Sequence, residues 1–332
     1  DVCSSDLYSS FWLMEGRSNS PQFFLDMQIR LRMVLLLLGS LLTVLSNYIH
    51  LSEKNEFLML IISLIVLGVP HGALDLYIER KNLQDDHSKS NPALVKYIVN
   101  ILTYSLLWYL SPLIALVIFI LITAYHFGEI DWLGKSNHWV HKLVYFLLGM
   151  SWILYFLSVN IKSALKIFLY VGASSITDQQ WLSMAGNISV ISMACICAIY
   201  FLLFFKKSFF YHHSNHFYFS LLQLVVLIFV CRYCSLWIGF GFYFGLWHSI
   251  LSFDKIRLSF EMPDKLNSWM ELIKKALPFS IMAWIGMLFI MFMFYNSKNS
   301  TSLVTLLFIT LSVLTLPHLQ VFTKLKINLA DK

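Results

Sequence analysis

Among the side chains of this sequence, the eleven histidines offer the most chemistry, and four of them sit in apolar surroundings. His71 follows an apolar run in Gly68-Val-Pro-His-Gly-Ala-Leu-Asp75, and His126 ends another in Ala124-Tyr-His-Phe-Gly-Glu129. His248 lies within Gly245-Leu-Trp-His-Ser-Ile-Leu-Ser252, and His318 ends a run in Thr315-Leu-Pro-His-Leu-Gln320. An imidazole placed in hydrocarbon is costly enough to mark a candidate for function. Neutral imidazoles favour a borderline transition metal such as iron, copper, zinc or nickel. Three or four of them leave coordination positions open for dioxygen or substrate, as catalysis requires. Asp75, Glu129 and Asp131 lie near the same face. They are expected either to accept the second ring N–H of ligand imidazoles or to stand as solvated loop charges.

The elements that carry these residues follow from composition. The chain has 332 residues, 58% of them hydrophobic and 13% charged, with a mean hydropathy of +0.69. A soluble domain carries roughly 25% charge, so lipid is the expected solvent. The 28 Phe, 16 Tyr and 10 Trp suit a bundle that packs rings inside and anchors Trp and Tyr at the interfaces. Apolar runs lie near 33–49, 56–72, 95–110, 112–127, 143–160, 187–205, 217–234, 236–252, 276–295 and 301–318. The fold class expected is therefore all-α, a polytopic transmembrane bundle of about ten helices in one domain. A tight turn at Ser111-Pro112 splits one long apolar stretch, and Pro278 is placed in the first turn of the ninth helix. In this order the second, fourth, eighth and tenth helices run the same way, so the four histidines share one depth.

Charge sets the orientation, because cytoplasmic loops hold the excess of Lys and Arg. With both termini cytoplasmic, Arg30, Arg32, Arg80, Lys81, Lys206, Lys207, Lys255, Arg257, Lys274, Lys275 and Lys324 fall inside, whereas Lys54, Lys162, Lys166, Arg232 and Lys298 fall outside. The formal charge of +6 is then a matter of topology and anionic lipid in a multi-pass cell-membrane protein, and nucleic acid is not an expected partner. Residues 1–26 are expected to be a non-native or disordered segment, with a single membrane domain over 27–332. Cys195, Cys197, Cys231 and Cys234 lack the second Cys pair of a zinc site and are expected to be core thiols. No phosphate loop or dinucleotide fingerprint occurs.

The remaining histidines are assigned to solvent. His212, His213 and His216 form a cytoplasmic loop, His87, His138 and His141 lie in other loops, and His50 falls on the opposite side. Other function classes stay open on these residues. A transporter or channel would use intramembrane His as an ion path and would want paired acids deep in its helices. A haem-binding electron carrier would set His pairs across the bundle. A non-catalytic scaffold would need no open metal position.

Pro70-His-Gly-Ala-Leu-Asp75, Tyr125-His-Phe-Gly-Glu129 with Asp131, Leu246-Trp-His-Ser249 and Leu316-Pro-His318 resemble, in order and spacing over residues 30–325, the Brp/Blh family of microbial β-carotene 15,15'-dioxygenases. The resemblance implies an Fe(2+)-dependent membrane enzyme that uses O2 to split β-carotene at its central double bond into two all-trans-retinal, with a microbial rhodopsin as an acceptor. It also implies that His71, His126 and His248 are metal ligands. The family's fourth ligand falls at Ser252, one helical turn beyond His248. This departure leaves three expectations: Ser252 holds a water, His318 supplies the imidazole, or activity is lost. A hydrocarbon substrate has no polar handle, so an apolar tunnel is expected to select the bond. Phe240, Phe242, Tyr243, Phe244 and Trp247 are its candidate walls, with Gly239, Gly241 and Gly245 giving room for the polyene or for close helix contact.

Overall fold

The computed structural model describes residues 21–82, 90–131, 139–170, 178–205, 214–295, 303–323 and 325. The terminal segment 1–20 and the loop histidines His87, His138, His212 and His213 lie outside them. Every regular element among the described residues is a helix, as hydrocarbon demands of a chain that must satisfy its own backbone groups. The helices are α1 (Pro21–Tyr48), α2 (Glu53–Ser63 continued by Leu64–Gly68, Val69–Ala73 and Asp75–Asn82), α3 (Ser90–Leu110) and α4 (Pro112–Asp131). There follow α5 (Trp139–Val159), α6 (Ile161–Tyr170), α7 (Asp178–Phe205), α8 (Ser214–Tyr233), α9 (Leu236–Ser259), α10 (Leu266–Tyr295) and α11 (Leu303–Phe322).

Six helices among the described residues are long and apolar enough to cross a membrane: Ile29–Tyr48, Glu53–Glu79, Pro112–Asp131, Trp139–Val159, Gln179–Leu203 and Leu236–Ser259. Shorter apolar helices run over Tyr218–Tyr233 and Leu306–Phe322, and the runs near 95–110 and 276–295 fold within α3 and α10. Large apolar side chains such as Leu37, Leu102, Tyr109, Leu202 and Met282 face outward, a surface made for acyl chains rather than water.

Several details differ from the sequence-based expectation. Pro112 opens α4 directly after Ser111, but α10 begins at Leu266, so Pro278 lies inside it. A membrane helix tolerates this because its neighbours re-satisfy the freed carbonyl. Cys195 and Cys197 are exposed. On α7 the inward row is Ser192, Ile196, Tyr200 and Leu203, at helical spacing, which turns both thiols outward. The first of the described helices begins at Pro21, a residue suited to a first helical turn.

Two contacts set the core. Helices α4 and α5 meet at Gly128 and Gly149, where a Cβ would stand 1.9 Å from the carbonyl oxygen of Tyr145 and 1.8 Å from that of Ala124. The backbones touch, as small residues allow between membrane helices. Helices α2 and α9 meet in the same manner. A Cβ on Gly245 would lie 2.4 Å from Ser63 Oγ, and one on Gly241 3.3 Å from Leu60 Cα. These two glycines therefore serve helix packing, and a Cβ on Gly239 would meet the Phe156 ring.

The α2–α9 contact coincides with an irregularity in both helices. Leu64–Gly68 and Gly241–His248 are π-helical: the Val69 N–H reaches back five residues to the Leu64 carbonyl. Such turns insert one residue and re-aim everything beyond them, commonly at functional sites. One stops just short of His71, and the other ends on His248.

Candidate metal centre

Four imidazoles converge in the bundle. Ring centroids of His71 and His248 are 5.2 Å apart, His248 and His126 4.7 Å, His126 and His318 5.0 Å, and His318 and His71 5.0 Å. Candidate ligand atoms of His71, His248 and His318 all lie within 4.8 Å of one another. Each ring is presented by a different helix: α2, α4, α9 and α11. None of these helices stops at its histidine, since they run on to Asn82, Asp131, Ser259 and Phe322. The cluster is thus deeper in the bundle than the ends of the apolar runs suggest.

All four histidines are buried, and their nitrogens are short of partners. Both ring nitrogens of His126, Nδ1 of His248 and Nε2 of His318 have no hydrogen-bond partner among the described residues. A buried polar atom left in this state costs roughly 1–3 kcal/mol unless something else satisfies it. The grouped ligand atoms of His71, His248 and His318 fit a transition-metal ion, and His126 stands beside them. In the other three rings one nitrogen is held. Nδ1 of His318 is 2.8 Å from Asp75 Oδ1, whose other oxygen accepts from the Tyr97 hydroxyl at 3.3 Å. Nδ1 of His71 faces the Leu67 carbonyl at 3.4 Å, and Nε2 of His248 faces Ser252 Oγ at 3.5 Å.

The other sequence-derived site residues divide. Ser252 is buried one turn below His248 and meets its ring rather than the cavity. Glu129 pairs with Lys255 at 3.1 Å, both buried. Asp131 accepts from Trp247 Nε1 at 2.8 Å and from the Tyr243 hydroxyl, so its carboxylate ties α4 to the π-helical turn that carries His248. Trp247 is fully enclosed and Phe242 packs on α1 at Gly39. Neither lines the two cavities described here. Phe240, Tyr243 and Phe244 do.

The histidines open on a cavity of about 290 Å³, bordered by Asp75 and Tyr97 and, on its outer side, by Phe279, Met282 and Ala283 of α10. Phe279 is half-buried and Met282 is exposed, so this chamber communicates with the lipid face. Phe244 forms part of its wall, its ring stacked on His248 at 5.6 Å and 19°.

Sequence reading missed several neighbours. Phe322 seals the inner side of the cluster, 5.1 Å from the His126 ring and 5.3 Å from that of His318, with Lys255 Nζ 4.8 Å from its centroid. An aromatic at the end of an apolar run carries no signal to distinguish it from core. Arg32 donates to the Ile130 carbonyl at 2.7 Å, the Asp131 carbonyl at 2.8 Å and Gln223 Oε1 at 2.8 Å. It thereby caps the last turn of α4.

A model of the family described as Beta-carotene 15,15'-dioxygenase matches residues 62–326. The Beta-carotene 15,15'-dioxygenase of uncultured marine bacterium 66A03 is 28% identical over 264 residues, which cover 77% of this chain and 88% of that protein. No solved structure matches the chain.

Proposed function

The chain belongs to the beta-carotene 15,15'-dioxygenase family, and from that premise we propose that it cleaves β-carotene at the central double bond, with O2 as oxidant, to give two molecules of all-trans-retinal. The observation that carries this is the ring of four buried imidazoles, three of them with unpartnered nitrogens, in the wall of a mostly apolar, lipid-facing chamber.

His71, His126, His248 and His318 hold Fe(2+) in this reading. The ion supplies the binding and activation of dioxygen beside the polyene. Asp75 fixes the His318 ring by accepting a hydrogen bond from its Nδ1–H, an arrangement that sets both the tautomer and the aim of a ligand imidazole. His318 thus provides the fourth imidazole, which the family pattern would place at the position held here by Ser252, and Ser252 steadies the outer nitrogen of His248. Glu129 neutralises Lys255, and Asp131 anchors Tyr243 and Trp247. A hydrocarbon makes no hydrogen bond with the chamber walls, so position along the polyene is set by contact with rings such as Phe244. Substrate enters from lipid between α10 and α2, past Phe279 and Met282. We place the protein as a multi-pass cell-membrane enzyme with both ends cytoplasmic, on the charge excess at Arg30, Arg80, Lys81, Lys274 and Lys275.

Cells that accumulate β-carotene provide the test. The parent should convert it to retinal, while His71→Ala, His126→Ala, His248→Ala and His318→Ala, at matched membrane expression, should leave it intact. Unchanged carotenoid in cells with abundant parent protein would refute the reading. Full activity of His318→Ala would remove that residue from the ligand set.

A further inference from the structure

A second cavity, of about 100 Å³, lies on the other side of Phe244, walled by α4, α5, α6, α8, α9 and α11. Its wall is aromatic and aliphatic apart from a few polar atoms. The Tyr243 hydroxyl is spent on Asp131. The Thr123 hydroxyl is buried and has no hydrogen-bond partner among the described residues. This is unusual for a threonine inside a helix, which ordinarily donates to the carbonyl one turn back. Thr43, Thr310 and Thr315 all do so here. A buried hydroxyl without a partner awaits one.

Position says what that partner is. Thr123 and His126 are three residues apart on α4, hence one turn apart on neighbouring faces, so the hydroxyl stands at the histidine end of the second cavity. Phe244 separates the two spaces and lines both, its ring parallel to Phe240 at 5.3 Å and 8°. The far end is closed by Ala164, Ile167 and Phe168 of α6. That short helix turns Lys166 outward to an ion pair with Glu53 at 3.1 Å. A ligand that fits is long and apolar, with one oxygen acceptor at the histidine end.

Resting on the cleavage reading above, we propose that this cavity is a retinoid pocket. It receives one ring-bearing half of the polyene, with the ring against α6, and the Thr123 hydroxyl donates a hydrogen bond to the aldehyde oxygen which that half gains on cleavage. The intact hydrocarbon has no such acceptor, so the hydroxyl recognises product rather than substrate. Rotation of Phe244 opens the passage and supplies the added volume.

The test is a titration of metal-free protein in phosphatidylcholine nanodiscs with all-trans-retinal, read by quenching of tryptophan fluorescence. Trp152 and Trp237 line the cavity, so saturable quenching should shrink in a Trp152→Phe, Trp237→Phe double variant. Thr123→Val keeps the shape and should weaken retinal about fivefold, the worth of one neutral hydrogen bond, while leaving the hydrocarbon of the same skeleton unchanged. Ala164→Phe fills the far end and should abolish saturable binding of both. The proposal is overturned by a parent that shows no saturable retinal binding, by Thr123→Val acting equally on both ligands or on neither, or by Ala164→Phe leaving both affinities intact. No metal or turnover enters this titration. Carotene cleavage without retinal binding therefore sinks the pocket alone, and retinal binding without cleavage sinks the enzymatic reading alone.

Discussion

Replacing Asp75 isolates a carboxylate in direct contact with one of the clustered imidazoles. Its Oδ1 is 2.8 Å from His318 Nδ1, and the two side chains are 1% and 6% exposed, so water cannot stand in for either. Loss of such an outer partner typically costs 10- to 100-fold in metal affinity, or about 1.4 to 2.7 kcal/mol. Asp75→Asn retains a carbonyl that can accept from Nδ1 and should fall near the tenfold end. Asp75→Ala also strands the Tyr97 hydroxyl and should approach a hundredfold. Competition between protein in nanodiscs and a chromophoric chelator for Co(II) measures both. If Asp75 acts through His318, the His318→Ala, Asp75→Asn double variant should bind no more weakly than His318→Ala. Independent losses that multiply in the double variant, or Asp75→Asn binding within twofold of parent, would refute the reasoning.

Asp131→Ala leaves the Tyr243 hydroxyl and Trp247 N–H unpaired in the core, which should lower stability by about 2–5 kcal/mol; thermal unfolding in detergent measures the loss, and a Co(II) spectrum altered at saturating metal would show that the π-helical turn carrying His248 had shifted. Gly128→Ala puts a methyl where the Tyr145 carbonyl already stands and should cost about 1–3 kcal/mol as α4 and α5 separate, read as a lowered Tm; Gly186→Ala, open on all sides, should not lower it. Lys255→Met strands the Glu129 carboxylate and should destabilise by about 3–5 kcal/mol, whereas Lys255→Met with Glu129→Leu should recover most of it; no recovery in the double variant would show that the pair is not what stabilises this region.

The histidine cluster was legible in sequence because its signal is chemical and local. Four histidines in apolar runs stand out against a composition with 13% charge, and a shared direction of four helices brings them to one depth. What sequence could not show is how far each helix continues past its histidine. Charged residues such as Asp75, Glu129 and Lys255 look like the end of a membrane span, yet they are buried and paired within the helices. The π-helical turns were equally hidden, since Leu64–Gly68 and Gly241–His248 differ from ordinary apolar helix only in backbone register. Their physical cause lies in the tertiary contact between Gly241 and Gly245 on one helix and Leu60 and Ser63 on the other. Hence Phe242 and Trp247, which share an aromatic run with Phe244, turn away from both cavities.

The buried cations show why charge counting reads topology better than structure. Arg32, Lys255 and Arg257 were assigned to loops by sign alone, but all three are buried. Each has a use that a loop charge lacks. Arg32 closes the C-terminal end of α4 and reaches α8 through Gln223. Arg257 donates to Asp254 Oδ1 at 2.6 Å and to the Met262 carbonyl at 2.8 Å, locking the turn after α9. Lys255 meets Glu129 behind Phe322. An isolated charge in this setting would be expelled or neutralised, so these partners hold α1, α4, α8 and α9 in fixed register. The Phe322 ring lies between the Lys255 ammonium and the imidazoles. Removing that ring should therefore change the metal site through charge as well as packing: Phe322→Leu, with less bulk between cation and histidines, is expected to weaken Co(II) binding, and the added Lys255→Met, Glu129→Leu pair should restore it. If the neutral pair gives no restoration, the role of Phe322 is packing alone.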